Sequence, residues 1–169
     1  MSGHSKWSQI RHKKAATDQK RARLFSKLAK AITLAALNGI DPKMNPALAS
    51  AIEQARRMNM PNDNIERAIK KVSDKAAAQL EKVVVEALGP GGTALRIIGV
   101  TDSKNRTIAE IKKILGDNGA KMVQPGSISW MLDVPVPKLP DVETKKLDAL
   151  LDALDNQDDV EDVIVNLKS

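Results

Sequence analysis

The chain of 169 residues contains no cysteine. That absence removes disulfides, thiolate zinc sites and a thiol nucleophile together, and it fits a reducing compartment. Aromatic residues are nearly missing as well: Trp7, Phe25 and Trp130 are the whole set. Cores must therefore be built from Ala, Leu, Ile, Val and Met, which favours thin helical packing and one modest sheet. Single-strand binders and sheet-type RNA readers stack bases on aromatic side chains, so sequence-specific single-strand recognition is a poor expectation here. Weight shifts to contacts with phosphates and with folded shape.

Long apolar runs are also lacking. No window approaches the roughly 18 apolar residues that a membrane span needs, and the first residues carry charge rather than an apolar stretch of signal-peptide length. The expectation is a soluble cytoplasmic protein without a membrane partner. Only two histidines occur, His4 and His12. With Asp18 they can be drawn as an acid–base or metal cluster, but nothing fixes their mutual geometry and no paired-carboxylate motif accompanies them. Polar or phosphate contacts are the better reading, and neither an enzyme, a cofactor nor a small-molecule substrate is expected.

What the sequence does hold is charge, unevenly placed. The first thirty residues carry nine Lys or Arg against one acid, Asp18, after an opening Gly3-His4-Ser5-Lys6-Trp7. Residues 1–75 hold 16 basic and 6 acidic side chains, whereas residues 76–169 hold 11 and 15. Lys and Arg bind polyanions by displacing condensed counterions from phosphates, so a concentrated basic segment means more than a high overall pI. The plainer alternative is a lysine-rich solvated surface.

Residues 1–16 show no periodic apolar face and read as a basic arm. From Thr17 or Asp18, either a fair N-cap, a helix runs toward Asn38, with Gly39 as its stop. On it Leu24, Phe25, Leu28, Ile32 and Ala35 share one sector, and Lys20, Arg23, Lys27 and Lys30 share another, which makes a core face and a phosphate face. Arg21 points toward the apolar sector. Asn45 before Pro46 caps a second helix to about Asn59, and Pro61 or Asn62 opens a third through about Val72. The short break at 60–62 could suggest a helix-turn-helix reader, although short turns join most bundle helices and the richest charge lies on the first helix.

After Ala76-Ala77-Ala78 the pattern turns to strands. Val83 to Leu88 and Ala94 to Thr101 flank Gly89-Pro90-Gly91-Gly92 and read as a hairpin whose turn needs positive φ. That glycine run lacks the Lys-Ser/Thr ending of a phosphate-binding loop. A helix with Ile108, Ile111, Ile114 and Leu115 follows, stopping near Asn118-Gly119. A strand from Ser127 to Asp133, a connector over 134–141 with three prolines, a helix with Leu147, Leu150, Leu151 and Leu154, and a last strand Val160 to Val165 complete the order ββαβαβ. The fold expected is α+β: a three-helix domain over 17–78, then over 79–169 a ferredoxin-like sandwich with a mixed four-stranded sheet. Lys104 and Arg106 fall at a helix N-terminus, where backbone N–H groups favour anions. Asp152, Asp155, Asp158, Asp159, Glu161 and Asp162 miss the calcium-loop pattern and read as a solvated edge that keeps this domain off nucleic acid.

Together these residues resemble the YebC/PmpR family, which includes the mitochondrial translational activator of cytochrome c oxidase. The likeness is carried by Gly3-His4-Ser5-Lys6-Trp7, Arg11-His12-Lys13-Lys14-Ala15-Ala16, Asp18 with Lys20-Arg21, and Phe25-Ser26-Lys27-Leu28. Further along it rests on Asn59-Met60-Pro61, Ile65-Glu66-Arg67-Ala68-Ile69, Gly89-Pro90-Gly91-Gly92, Asn105-Arg106-Thr107 and Pro125-Gly126-Ser127. The resemblance implies a helical N-terminal domain followed by α/β domains, and no enzymatic activity. It implies a DNA-binding regulator of transcription or, alternatively, a ribosome-associated translation factor that binds ribosomal or transfer RNA and helps at proline-rich stretches. Family members are usually longer, with a further α/β domain where 134–141 stands here. The residues expected to meet nucleic acid are His4, Lys6, Trp7, Arg11, His12, Lys13 and Lys14 in the arm, Lys20, Arg23, Lys27 and Lys30 on the first helix, and Lys104, Asn105 and Arg106. Oligomeric state is not legible.

Overall fold

The computed structural model describes residues 17–168. Its first half is three helices, α1 (Asp18–Ala36), α2 (Pro46–Arg57) and α3 (Asn62–Lys70), followed by a short 3-10 turn at Lys71–Ser73. The Thr17 side chain caps α1 by accepting the Lys20 N–H at 3.3 Å. Asn45 caps α2 by accepting the Leu48 N–H at 3.1 Å. Its amide also donates to Ala35 O and Gly39 O, both at 2.8 Å, so one side chain starts α2 and ties down the end of α1. Asn59 takes positive φ, 63°, in the turn before α3. Leu24, Leu28, Ile32, Leu48, Ile52, Ala55, Ile65 and Ala68 are buried together, and the Thr33 hydroxyl donates to Ala68 O at 2.7 Å, joining α1 to α3 inside that cluster. Arg21 stays exposed and pairs with Asp18 at 3.3 Å, which accounts for its position in the first turn.

The second half is built from β1 (Glu81–Leu88), β2 (Ala94–Thr101), α4 (Lys104–Asp117), β3 (Lys121–Val123), α5 (Ser129–Leu132), α6 (Asp141–Asp155) and β4 (Val160–Val165). The strands lie in the order β3-β1-β2-β4 and every neighbouring pair is antiparallel, so the sheet is not the mixed one expected. The β1–β2 hairpin closes through a 3-10 turn at Pro90–Gly92, where Gly91 and Gly92 adopt φ of 71° and 74°. Inward residues of period two, Val83, Val85, Ala87, Leu95 and Ile97, meet Ile111 and Leu115 of α4 and Leu147, Leu150, Leu151 and Leu154 of α6 in one core.

A second correction concerns the strand expected over Ser127 to Asp133. The strand is Lys121–Val123, paired with Glu86, Ala87 and Leu88, and the 129–132 segment is a single helical turn. The reason lies on the outer face of the sheet. Glu86 is buried there, takes Arg96 at 3.0 Å, and accepts the backbone N–H of Gly126, which has φ of 87°. The Pro125-Gly126 turn is thereby pinned against the sheet, and the chain leaves it as a helix. Beyond α5 the connector is short. Val136 bridges to Leu167, and Leu139 is buried in the sheet core just before α6.

Candidate nucleic-acid interface

The arm residues His4, Lys6, Trp7, Arg11, His12, Lys13 and Lys14 lie outside the described residues. Of the α1 cations, Lys20 is exposed on the first turn. The other three face the second half of the molecule rather than solvent. Arg23 Nη1 donates to Asn156 Oδ1 at 2.7 Å, Lys27 Nζ to Asp155 O at 2.6 Å, and Lys30 Nζ to Asp158 O at 3.0 Å and Val100 O at 3.3 Å. Lys27 is only 2% exposed. The expectation of one phosphate face is corrected here: residues 23, 27 and 30 do share a face, but it packs on the C-terminal end of α6. That end presents carbonyls without intrahelical partners and the negative pole of the helix, which suits cations on long apolar stems.

The acid that completes this clamp is Asp159. Lys30 Nζ stands 2.7 Å from its Oδ1, while Arg106 at 3.1 Å and the Thr107 hydroxyl at 2.8 Å reach its Oδ2. The side chain of Gln157 arranges the same turn, taking the N–H groups of Asp159 at 2.6 Å and Val160 at 2.9 Å and donating to Glu110 at 2.7 Å. Burial pushes the Asp159 carboxyl up, but the hydrogen bonds from Lys30, Thr107 and Arg106 outweigh it and hold the group at about 2. Asp159 thus belongs to the junction, not to the solvated acidic edge expected. At the start of α4, Lys104 and Asn105 are exposed. Arg106 is exposed too, but its guanidinium is engaged, reaching Asp102 at 3.0 Å and Thr101 Oγ1 at 3.3 Å besides Asp159.

Sequence reasoning therefore missed Asn156, Gln157, Asp159 and Thr107. Their signal was present only as the joint occurrence of a Lys/Arg stripe in one half and a short polar turn after a leucine helix in the other. Among the described residues no three His, Cys, Asp or Glu side chains stand close enough to hold a metal. Among them, too, no helix is long and apolar enough to cross a membrane. What the arrangement offers chemically is an exposed cation, Lys20, on a helix whose Arg23, Lys27 and Lys30 are committed to the junction.

Fold and site together define a small α+β protein in which a basic helical unit is held to a more acidic helix-and-sheet unit by hydrogen bonds and the Lys30–Asp159 ion pair. The chain belongs to the TACO1/YebC family: residues 5–75 match the family's N-terminal domain, and residues 80–135 match its second and third domain. A relative from Maridesulfovibrio salexigens is 45% identical over 153 residues, covering 90% of this chain and 62% of its own length. One from Halothermothrix orenii is 53% identical over 133 residues, covering 78% and 53%. Both bear the name "Probable transcriptional regulatory protein", and the chain spans somewhat over half the length of these relatives. The crystal structure of the conserved hypothetical protein Aq1575 from Aquifex aeolicus superposes with a TM-score of 0.81 at 29% identity, covering 97% of each chain.

Proposed function

We propose that this chain is a non-catalytic regulator of gene expression that binds DNA and acts on transcription in the cytoplasm. The observation that carries the reading is the charge polarity: 16 basic against 6 acidic residues over 1–75, and 11 against 15 over 76–169. An anionic polymer is drawn to the first half and turned away from the second. His4, Lys6, Trp7, Arg11, His12, Lys13 and Lys14 in the arm, together with Lys20, form the primary contact, and the exposed Lys104 and Asn105 supply a second one. Arg23, Lys27, Lys30 and Arg106 act indirectly, by fixing how the two halves sit. The names borne by the relatives support the transcriptional assignment.

The test is crosslinking in the native cell followed by sequencing of attached nucleic acid, with a protein lacking residues 1–16 as control. Promoter DNA recovered only with the arm is the expected result. Arm-dependent ribosomal or transfer RNA would move the protein to translation, and no arm-dependent signal would remove the reading altogether.

A further inference from the structure

A groove of about 410 Å3 runs between α1 and α3. Ala22, Phe25 and Ala29 recur on one face of α1 and line it from that side, Met60 adds to the apolar lining, and Arg67 and Lys71 line it from the other. Phe25 is half-buried: it packs on the helical core yet still lines the groove. The flanking alanines carry only a methyl group each, too short to cover a phenyl ring. The two charged side chains of the lining are both cations, and neither forms a salt bridge with an acid of the described residues. Arg21, Arg57 and Arg106, by contrast, are paired with Asp18, Glu53 and Asp102. Arg67 is held by neutral acceptors instead, donating to Asn64 Oδ1 and to Asp63 O. This orients the guanidinium without neutralising it.

We infer that this groove binds one unpaired nucleotide of a nucleic-acid strand, with the base against Phe25 and a phosphate between Arg67 and Lys71. The inference rests on the nucleic-acid reading above and narrows it to a place and a form of ligand. Charge decides among occupants. The chain's own residues 1–16 carry four Lys or Arg and no acid, so Arg67 and Lys71 would repel them. An apolar peptide would leave both cations unmatched. A nucleotide satisfies the apolar floor and the cationic wall at once, and a base inside a duplex has no free face to offer. A single phenyl ring gives stacking without reading base identity, in keeping with a chain so poor in aromatics.

The experiment is fluorescence anisotropy of the full chain with a short labelled DNA strand, its duplex, and an RNA strand of the same sequence. Phe25→Leu should weaken binding of the unpaired strand by about tenfold and leave the duplex unaffected. Arg67→Gln and Lys71→Gln should each lower the slope of log affinity against log salt by about 0.7 for the unpaired strand. Both cations are exposed, so these two variants keep the fold, and thermal unfolding checks Phe25→Leu. The DNA and RNA arms identify which polymer supplies the nucleotide. Variants that bind the unpaired strand as the unmodified chain does, or lose duplex binding equally, overturn the groove alone. An unmodified chain that binds neither strand nor duplex overturns the nucleic-acid reading and the groove with it.

Discussion

Lys30 crosses from α1 to place its ammonium 2.7 Å from Asp159 Oδ1, in the turn that leads into β4. Arg106 holds the other oxygen of the same carboxylate at 3.1 Å. One acid therefore bridges a cation from the helical half and a cation from α4.

Asp159→Asn should destabilise the protein by about 2 kcal/mol in urea unfolding, because both cations lose their shared partner. The effect depends on pH. The folded-state group sits at about 2, below its ordinary 3.8, so its stabilisation is complete above the ordinary value and disappears as pH falls through the folded one. The gap between the two proteins should be constant from about pH 5 upward and close progressively between about pH 4 and pH 2. A gap that widened on acidification would contradict the assignment.

Lys20 and Lys27 are seven residues apart on α1 and should behave oppositely. Lys27→Met keeps the apolar stem but removes the amine from Asp155 O. It should lower stability by about 1–3 kcal/mol, read from chemical denaturation. Lys20→Gln disturbs no side-chain partner among the described residues and should leave stability within about 0.5 kcal/mol. It should instead reduce the salt slope of nucleic-acid binding by about 0.9 for a duplex.

Removing the carboxylate on the outer face should loosen the turn it holds. Glu86→Gln leaves Arg96 without its ion pair and weakens the acceptor of the Gly126 N–H. A loss of about 2 kcal/mol is expected, moderated because Arg96 is partly exposed. Hydrogen exchange at Gly126 should accelerate, while amides in the centre of β1 and β2 keep their protection.

Gly99 marks the register shift where β2 meets β4. A Cβ there would lie 2.8 Å from Asp159 O and 2.9 Å from Val83 Cγ1. Since Asp159 O also accepts the Val100 N–H at 2.9 Å, the backbone cannot easily retreat. Gly99→Ala should cost about 1–3 kcal/mol, and exchange in β4 should rise before that in β1.

Much of this architecture was legible in the residues. Thr17 and Asn45 gave the helix starts because capping is local chemistry, and Gly91 and Gly92 gave the hairpin turn because positive φ is a property of single residues. β3 escaped notice since three residues carry too little periodicity, and the alternation from Ser127 to Asp133 imitated a strand. Its fate was set by Glu86, forty positions earlier, holding Gly126. The interface shows the same division. Helical spacing correctly placed Arg23, Lys27 and Lys30 together, but spacing names a face and not its neighbour. Only the folded chain brings Asp155 and Asp159 to that face, 128 to 129 positions away.

The connector between α5 and α6 is fastened twice. On one side Asn166 donates to Val134 O at 3.2 Å, and Val136 exchanges backbone hydrogen bonds with Asn166 and Lys168. On the other side Leu139 is sunk in the core, so close to Gly91 that a Cβ there would stand 2.6 Å from Leu139 Cδ2. Only Pro137 and Lys138 lie between, both exposed. Each anchor holds without help from those two residues, and lengthening a surface loop costs little closure entropy. The molecule therefore has a port at 137–138, where polypeptide of almost any length could be admitted or removed while the sheet, its helices and the clamp on α1 remain as they are.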